Sequence, residues 1–269
     1  MKAISSPAIR AKRFISRSAY AIGSITGLER PLAAAICYHS VGTEKGYLSV
    51  PLERCITEIQ KIRDIATIVP LSDLKTNRSR YAKSTISITF DDGYKNFLTI
   101  APFFKRNKIP VTLFVLSNPE QADRARMGNI LPLLTAKDIR LLAQQGIDIG
   151  SHSQTHRDLT AISREDLRTE LIESKKSLER ITGKPVRHFA YPNGSYNKYV
   201  MDEARNVGYD SAWTVESGHV TKAANPFALP RIVITKNHDI SEFPAVYSAS
   251  VHSIRAVIRD VSSRFGSYL

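Results

Sequence analysis

Two adjacent carboxylates, Asp91 and Asp92, and two histidines about sixty residues downstream, His152 and His156, are the side chains whose types and spacing could do hydrolytic chemistry. The carboxylates follow Ser84-Thr85-Ile86-Ser87-Ile88, a β-branched run that reads as a buried strand. They precede Gly93, which permits a sharp turn. A second short run, Ile147-Asp148-Ile149-Gly150, leads into Ser151-His152-Ser153-Gln154-Thr155-His156. Histidines four residues apart face the same way if the segment winds one helical turn. One carboxylate and two imidazoles make a coordination set for a divalent metal with open positions, and the other carboxylate is left free as a base. Taken singly, Asp-Asp-Gly also fits an ordinary turn, and His-x-x-x-His a solvated or capping pair. Their joint placement at two strand exits favours the metal.

The elements that must hold these groups alternate. A first strand is expected over 33–38, ending at His39, and a helix over 52–65 through Ile56, Ile59, Ile62 and Ile65. After the Asp-Asp strand come a helix near 95–107, a strand over 111–116, and an irregular stretch over 117–134 that could cover the site. Thr135 can cap a helix ending before Gly146, and Ser163 a longer one reaching about 181, stopped by Gly183 and Pro185. Strands over 187–191 and 209–215 flank a helix over 198–207, and a last strand spans 229–234. Strand–helix alternation argues for one parallel α/β domain, with candidate residues just after strands, where an α/β barrel places its site. Periodicity does not separate a barrel from an open doubly wound sheet.

Four segments carry a family resemblance. Thr89-Phe90-Asp91-Asp92-Gly93 resembles the first motif of the polysaccharide deacetylases, and His152-Ser153-Gln154-Thr155-His156 the second. Phe189-Ala190-Tyr191-Pro192-Asn193-Gly194 is similar to the third motif in the subgroup that deacetylates poly-N-acetylglucosamine, and Tyr38-His39-Ser40-Val41 to that subgroup's opening signature. The matches run in family order from about residue 35 to 235. The resemblance implies a distorted (β/α) barrel with fewer than eight complete units. It also implies a metal, zinc by its liking for imidazole, held by Asp92, His152 and His156, with Asp91 as base.

Two positions depart from the usual family pattern. The last strand, Leu229-Pro230-Arg231-Ile232-Val233, carries no histidine. The subgroup resemblance implies that His39 supplies the catalytic acid instead, with His238 the competing candidate and backbone bonding the bland alternative for His39. Ala190 stands where the third motif usually has an arginine that orients the aspartate. Arg231 could supply that guanidinium, or form a surface ion pair. A backbone N–H from the 189–194 loop, with Tyr191, Pro192, Asn193 and Gly194 as the substrate-side residues, would stabilise the oxyanion. Tyr191 and Trp213 could stack on sugar rings, and Trp213 equally fits a core. The implied activity is removal of N-acetyl groups, or secondarily O-acetyl groups, from an amino-sugar oligomer or polysaccharide. A decayed deacetylase fold acting as a basic membrane- or polymer-binding module is the alternative, and the intact Asp and His residues argue against it. A phosphoesterase is disfavoured because no further carboxylates mark a second metal.

The chain has 269 residues, 42% hydrophobic and 23% charged, ordinary for a globular domain. Its two cysteines, Cys37 and Cys55, read as core residues without a disulfide framework. The net charge is +13. No nucleic-acid partner is expected. Residues 1–28 carry Lys2, Arg10, Lys12, Arg13 and Arg17 and no acidic residue. Residues 1–30 therefore read as a basic amphipathic segment, fit either for an anionic membrane surface or as a tail or helix packed on the domain. The segment lacks the apolar core of a secretory signal and is too broken to span a bilayer. A cytoplasmic location, peripheral on the inner membrane face, is the expectation. Residues 31–240 form the deacetylase-like domain. Residues 241–269 repeat apolar side chains at three and four, a terminal amphipathic helix.

Overall fold

The structure, a computed structural model, describes residues 32–44, 46–76, 83–127 and 131–237. The expected amphipathic segments at both ends, and His238 with them, lie outside the described residues. Among the described residues no helix is long and apolar enough to cross a membrane.

Two strands form the centre, β1 (Ala33–Tyr38) and β5 (Thr85–Phe90), paired in parallel from Ala33↔Thr85 to Tyr38↔Phe90. Every residue of both is buried, as a parallel sheet covered on both faces requires. From β5 the sheet continues through β6 (Thr112–Val115), β7 (Asp148–Ser151), β8 (His188–Ala190) and β9 (Ser211–Trp213). Short pieces complete it. Strand β4 (Thr67–Ile68) pairs with the start of β5, and β2 (Ser40–Val41) with β3 (Ser49–Val50) in a separate ribbon. These three were not foreseen: two-residue strands carry too little pattern to read.

The sheet curls, and its two edges are joined by one segment. Leu229 bridges to Trp213 on β9, and three residues on, β10 (Ile232–Val233) pairs with β1 at Ile36 and Cys37. The last strand expected over 229–234 is thus the staple between the edges. Side chains alternate across β1. Ala33 and Ala35 point into an inner cluster with Phe114, Ala190, Trp213 and Leu229, while Ile36 and Tyr38 pack outward under the helices. Small residues on β1 leave room for Trp213, which is buried with its indole N–H donating to Ser211. Trp213 is a core residue, unavailable to a sugar.

Among the described residues six α-helices accompany the sheet, three of them starting at a side-chain cap. They are α1 (Leu52–Ile65), α2 (Asp73–Thr76), α3 (Ala101–Asn107), α4 (Ala136–Gln144), α5 (Arg164–Thr182) and α6 (Lys198–Asn206). Thr135 and Asp138 form a capping box on α4; Ser163 caps α5, and Gly183 ends it at φ 67°.

Candidate active site

The exit of β5 is sharply turned. Asp92 and Gly93 both adopt left-handed backbone, φ 70° and 65°. A Cβ on Gly93 would lie 3.1 Å from Val115 Cγ1, so glycine serves both the turn and the close approach to β6. The turn sends the two carboxylates in different directions.

Asp92 meets the histidines. Its Oδ1 lies 3.2 Å from His152 Nε2 and 3.3 Å from His156 Nε2. The segment after β7 is not the expected helical turn. Ser153 and His156 take left-handed backbone, φ 68° and 64°. A hydrogen bond from His156 N–H to Ser153 Oγ, 3.0 Å, closes a tight loop. The carboxylate of Glu170 on α5 accepts from the N–H groups of Gln154 (2.8 Å) and Thr155 (2.9 Å) and from the Thr155 hydroxyl. These side-chain acceptors outcompete the helix for the loop's donors, and the imidazoles converge without one. Non-glycine residues at positive φ are costly and gather at functional sites. Four of the five among the described residues, Asp92, Ser153, His156 and Asn193, lie here.

His152 Nδ1 sits 2.8 Å from the Ala190 carbonyl and must donate to it. Its Nε2 then presents a lone pair towards Asp92 Oδ1 unless the ring is an imidazolium. Burial pushes the His152 pKa down, but the hydrogen bond to Asp92 and the nearby Asp91 raise it above the ordinary value. Burial pushes Asp92 up, and the two imidazoles pull it well below the carboxylate range. A buried carboxylate oxygen faced by two imidazole nitrogens is a donor set suited to a cation. Asp92, His152 and His156 present ligand atoms within 4.8 Å of one another, a donor set that fits zinc or a similar divalent ion with room for other ligands.

Asp91 turns the other way and is gripped by Arg231. The guanidinium donates to Oδ1 and Oδ2, 2.6 Å each, to Thr89 Oγ1 and to the Thr214 carbonyl, and stacks 5.2 Å over Phe114. Arg231 is fully buried, so this is no surface ion pair. Burial would raise the Asp91 pKa, but Arg231 and His152 outweigh it and hold it below the usual range.

His39 lies on the same rim. A small cavity is lined by His39, Asp91, Asp92, His152, His156 and Asn193, with Leu48, Arg126 and Val215 beside them. Burial lowers the His39 pKa, opposed by Asp92 and Asp91, so the free ring is neutral at pH 7. The 189–194 loop divides. Tyr191 faces away: its hydroxyl donates to the Phe227 carbonyl, its ring stacks on Tyr196, and its N–H is spent on Trp213. Its expected contact with sugar is corrected by that packing. Pro192 has no N–H, and that of Gly194 donates to Tyr191 O. Asn193, at φ 55° against the cavity, is left as the donor of this loop. Glu170 and Arg126 were not picked out from sequence. Arg126 lies in the 117–134 stretch and pairs with Asp158 at 3.2 Å.

A curled parallel sheet with paired carboxylates and a His-x-x-x-His loop at its strand exits defines the class. Residues 78–212 match the polysaccharide deacetylase profile, and the chain belongs to that family, hydrolases that deacetylate carbohydrate with the help of a metal. The Bacillus subtilis protein YxkH, named provisionally as a polysaccharide deacetylase, is 26% identical over 223 residues, 81% of this chain and 77% of that one. A poly-beta-1,6-N-acetyl-D-glucosamine N-deacetylase of Staphylococcus aureus is 24% identical over 168 residues, 59% of this chain and 57% of its own length. The Streptococcus pyogenes deacetylase PplD, solved with acetate, shares the fold at TM-score 0.67 and 23% identity, over 79% of this chain and 96% of that one. His39 and Arg231 both fall outside the span matched to the family.

Proposed function

We propose that the protein removes N-acetyl groups from an amino-sugar oligomer or polysaccharide, with zinc as its ion. One observation carries this reading: neighbouring carboxylates have opposite surroundings, Asp92 faced by two imidazoles and Asp91 by a buried guanidinium. Such a split gives one carboxylate to a metal and keeps the other ionised as a base.

Asp92, His152 and His156 would hold the ion, which would supply a Lewis acid able to make water acidic near neutral pH. Asp91 takes a proton from the attacking water, its two oxygens held in one plane by Arg231. The Asn193 N–H faces the acetyl oxygen as negative charge develops there. The amine leaves only when protonated. His39, neutral at rest and with a ring nitrogen within 4.8 Å of Asp91, can receive the proton Asp91 has taken and deliver it to nitrogen as the C–N bond breaks. One proton thereby serves both steps. The name of the staphylococcal relative and the Phe189–Gly194 motif support an N-acetylglucosamine polymer as substrate.

The test is acetate release from N-acetylglucosamine oligomers and acetylated polysaccharides by zinc-loaded and metal-stripped protein. Metal-dependent release is expected from an amino-sugar polymer. Asp91→Asn should keep its metal and lose about 10²- to 10⁴-fold in turnover. Failure of the fully loaded protein on every amino-sugar substrate would overturn the reading.

A further inference from the structure

Cys37 is a buried nucleophile that the mechanism above does not use. Alternation along β1 puts it on the same face as Ala33 and Ala35. Its Sγ lies 3.6 Å from the Tyr38 carbonyl and 3.9 Å from His39 Nδ1. Cys37, His39 and Asp91 bring a thiol, an imidazole and a carboxylate oxygen within 4.8 Å of one another. With Zn–S near 2.3 Å and Zn–N near 2.0–2.1 Å, the 3.9 Å separation corresponds to an S–metal–N angle of about 127°, an open tetrahedral value.

We propose that Cys37, His39 and Asp91 form a second, inhibitory site for thiophilic divalent cations, cadmium and excess zinc, beside the site at Asp92, His152 and His156. The inhibition rests on the deacetylase reading; the binding does not. A cation there takes the lone pair of Asp91 that Arg231 leaves free, and a nitrogen of His39. It removes the base and the acid together. As the S–metal bond forms, the thiol proton passes to solvent and nothing is oxidised or reduced. Burial and Asp91 keep the thiol protonated in the absence of a cation, opposed by Arg231, so binding releases one proton. The site fills second for two reasons: a proton must be displaced, and the Arg231 guanidinium and the first cation both repel the newcomer. Hard cations such as magnesium lack affinity for sulfur and should not inhibit.

The probe is cadmium, titrated into protein already holding one equivalent of zinc, with the ultraviolet thiolate-to-cadmium charge-transfer band as readout. Wild type and Cys55→Ala should develop the band and release a proton; Cys37→Ala, or Cys37→Ser if alanine packs poorly, should show neither. In the acetate assay, inhibition should require at least about tenfold more cadmium in Cys37→Ala than in wild type, as expected for loss of the soft ligand. An absent band in wild type, or the same band in Cys37→Ala, overturns the site. An intact band with unchanged inhibition of Cys37→Ala overturns its inhibitory role. The optical titration decides the site even if no acetylated substrate is turned over.

Discussion

Replacing Glu170 tests whether the loop that carries both histidines is held from behind. Glu170 is 3% exposed, and its three hydrogen bonds reach the backbone and side chain between His152 and His156 without touching either ring. Hydrogen bonds to a carboxylate contribute about 1.5–3 kcal/mol each. In Glu170→Ala three are lost, but the cost of burying the carboxylate disappears with them, leaving a net loss of about 3 kcal/mol. For a domain of this size that lowers Tm by about 6–12 °C. The functional effect is separate. Without its anchor the loop no longer holds Ser153 and His156 in left-handed backbone, and metal affinity should fall about 10- to 100-fold. Metal Kd by chelator competition, read beside thermal unfolding, is the assay. Leu171→Ala is the control: Leu171 is fully buried on the same helix, its loss costs about 2–5 kcal/mol, and it donates nothing to the loop. Leu171→Ala should match the loss of Tm and keep the metal Kd. Equal metal affinity in Glu170→Ala and wild type would refute the reasoning.

His39→Ala should cut turnover about 10²- to 10⁴-fold with metal content unchanged, whereas His238→Ala should do little; the reverse ranking would move the acid to the end of the chain. Arg231→Met strands a buried carboxylate and should cost about 3–5 kcal/mol. The sign of its pH effect follows from Asp91. The wild-type carboxyl titrates below its unfolded value, so its stabilisation is present above about pH 3.9 and is lost as pH falls through the folded pKa. Without Arg231, burial dominates and the pKa rises. The acid limb of the kcat/KM profile should therefore move to higher pH, and a limb that stays in place would sever Arg231 from the base. Residues 1–28, with five basic side chains at about 1 kcal/mol each near an anionic surface, should make the full chain pellet with anionic vesicles in low salt. Equal pelleting by a form lacking them, or by neither, would reduce the segment to an ordinary tail.

Much of the frame was legible because its signals are local. Thr135, Ser163 and Gly183 bound their helices through bonds spanning a few residues. The chemical motifs were legible for the same reason, since Asp91 and Asp92, or His152 and His156, are close in sequence. What could not be read lies in long-range pairing. The choice for Arg231 between a buried grip and a surface pair turned on a partner 140 residues away. Glu170 looks like any acidic residue on an amphipathic helix until its loop is beside it. The helical turn expected at His152–His156 failed because periodicity carries no information about a carboxylate arriving from another element. Tyr191 misled in the same way: its motif fixes the backbone, while Phe227 and Tyr196 decide where its ring goes.

The segment that joins the two edges of the sheet also delivers Arg231 to Asp91. Until residues 229–233 dock, β5 must keep its aspartate without a counter-charge, and the inner face beside Phe114 stays open. A ribosome adding about 5–20 residues each second needs about 7–28 s to travel the 140 residues between them. His152, His156, their Glu170 anchor and the Ala190 carbonyl are all made within that interval, the last of them 41 residues before Arg231, so for about 2–8 s they are present without a gripped base. Synthesis therefore orders the two halves of the site: the residues fit to hold a cation are made before the one that grips the neighbouring carboxylate.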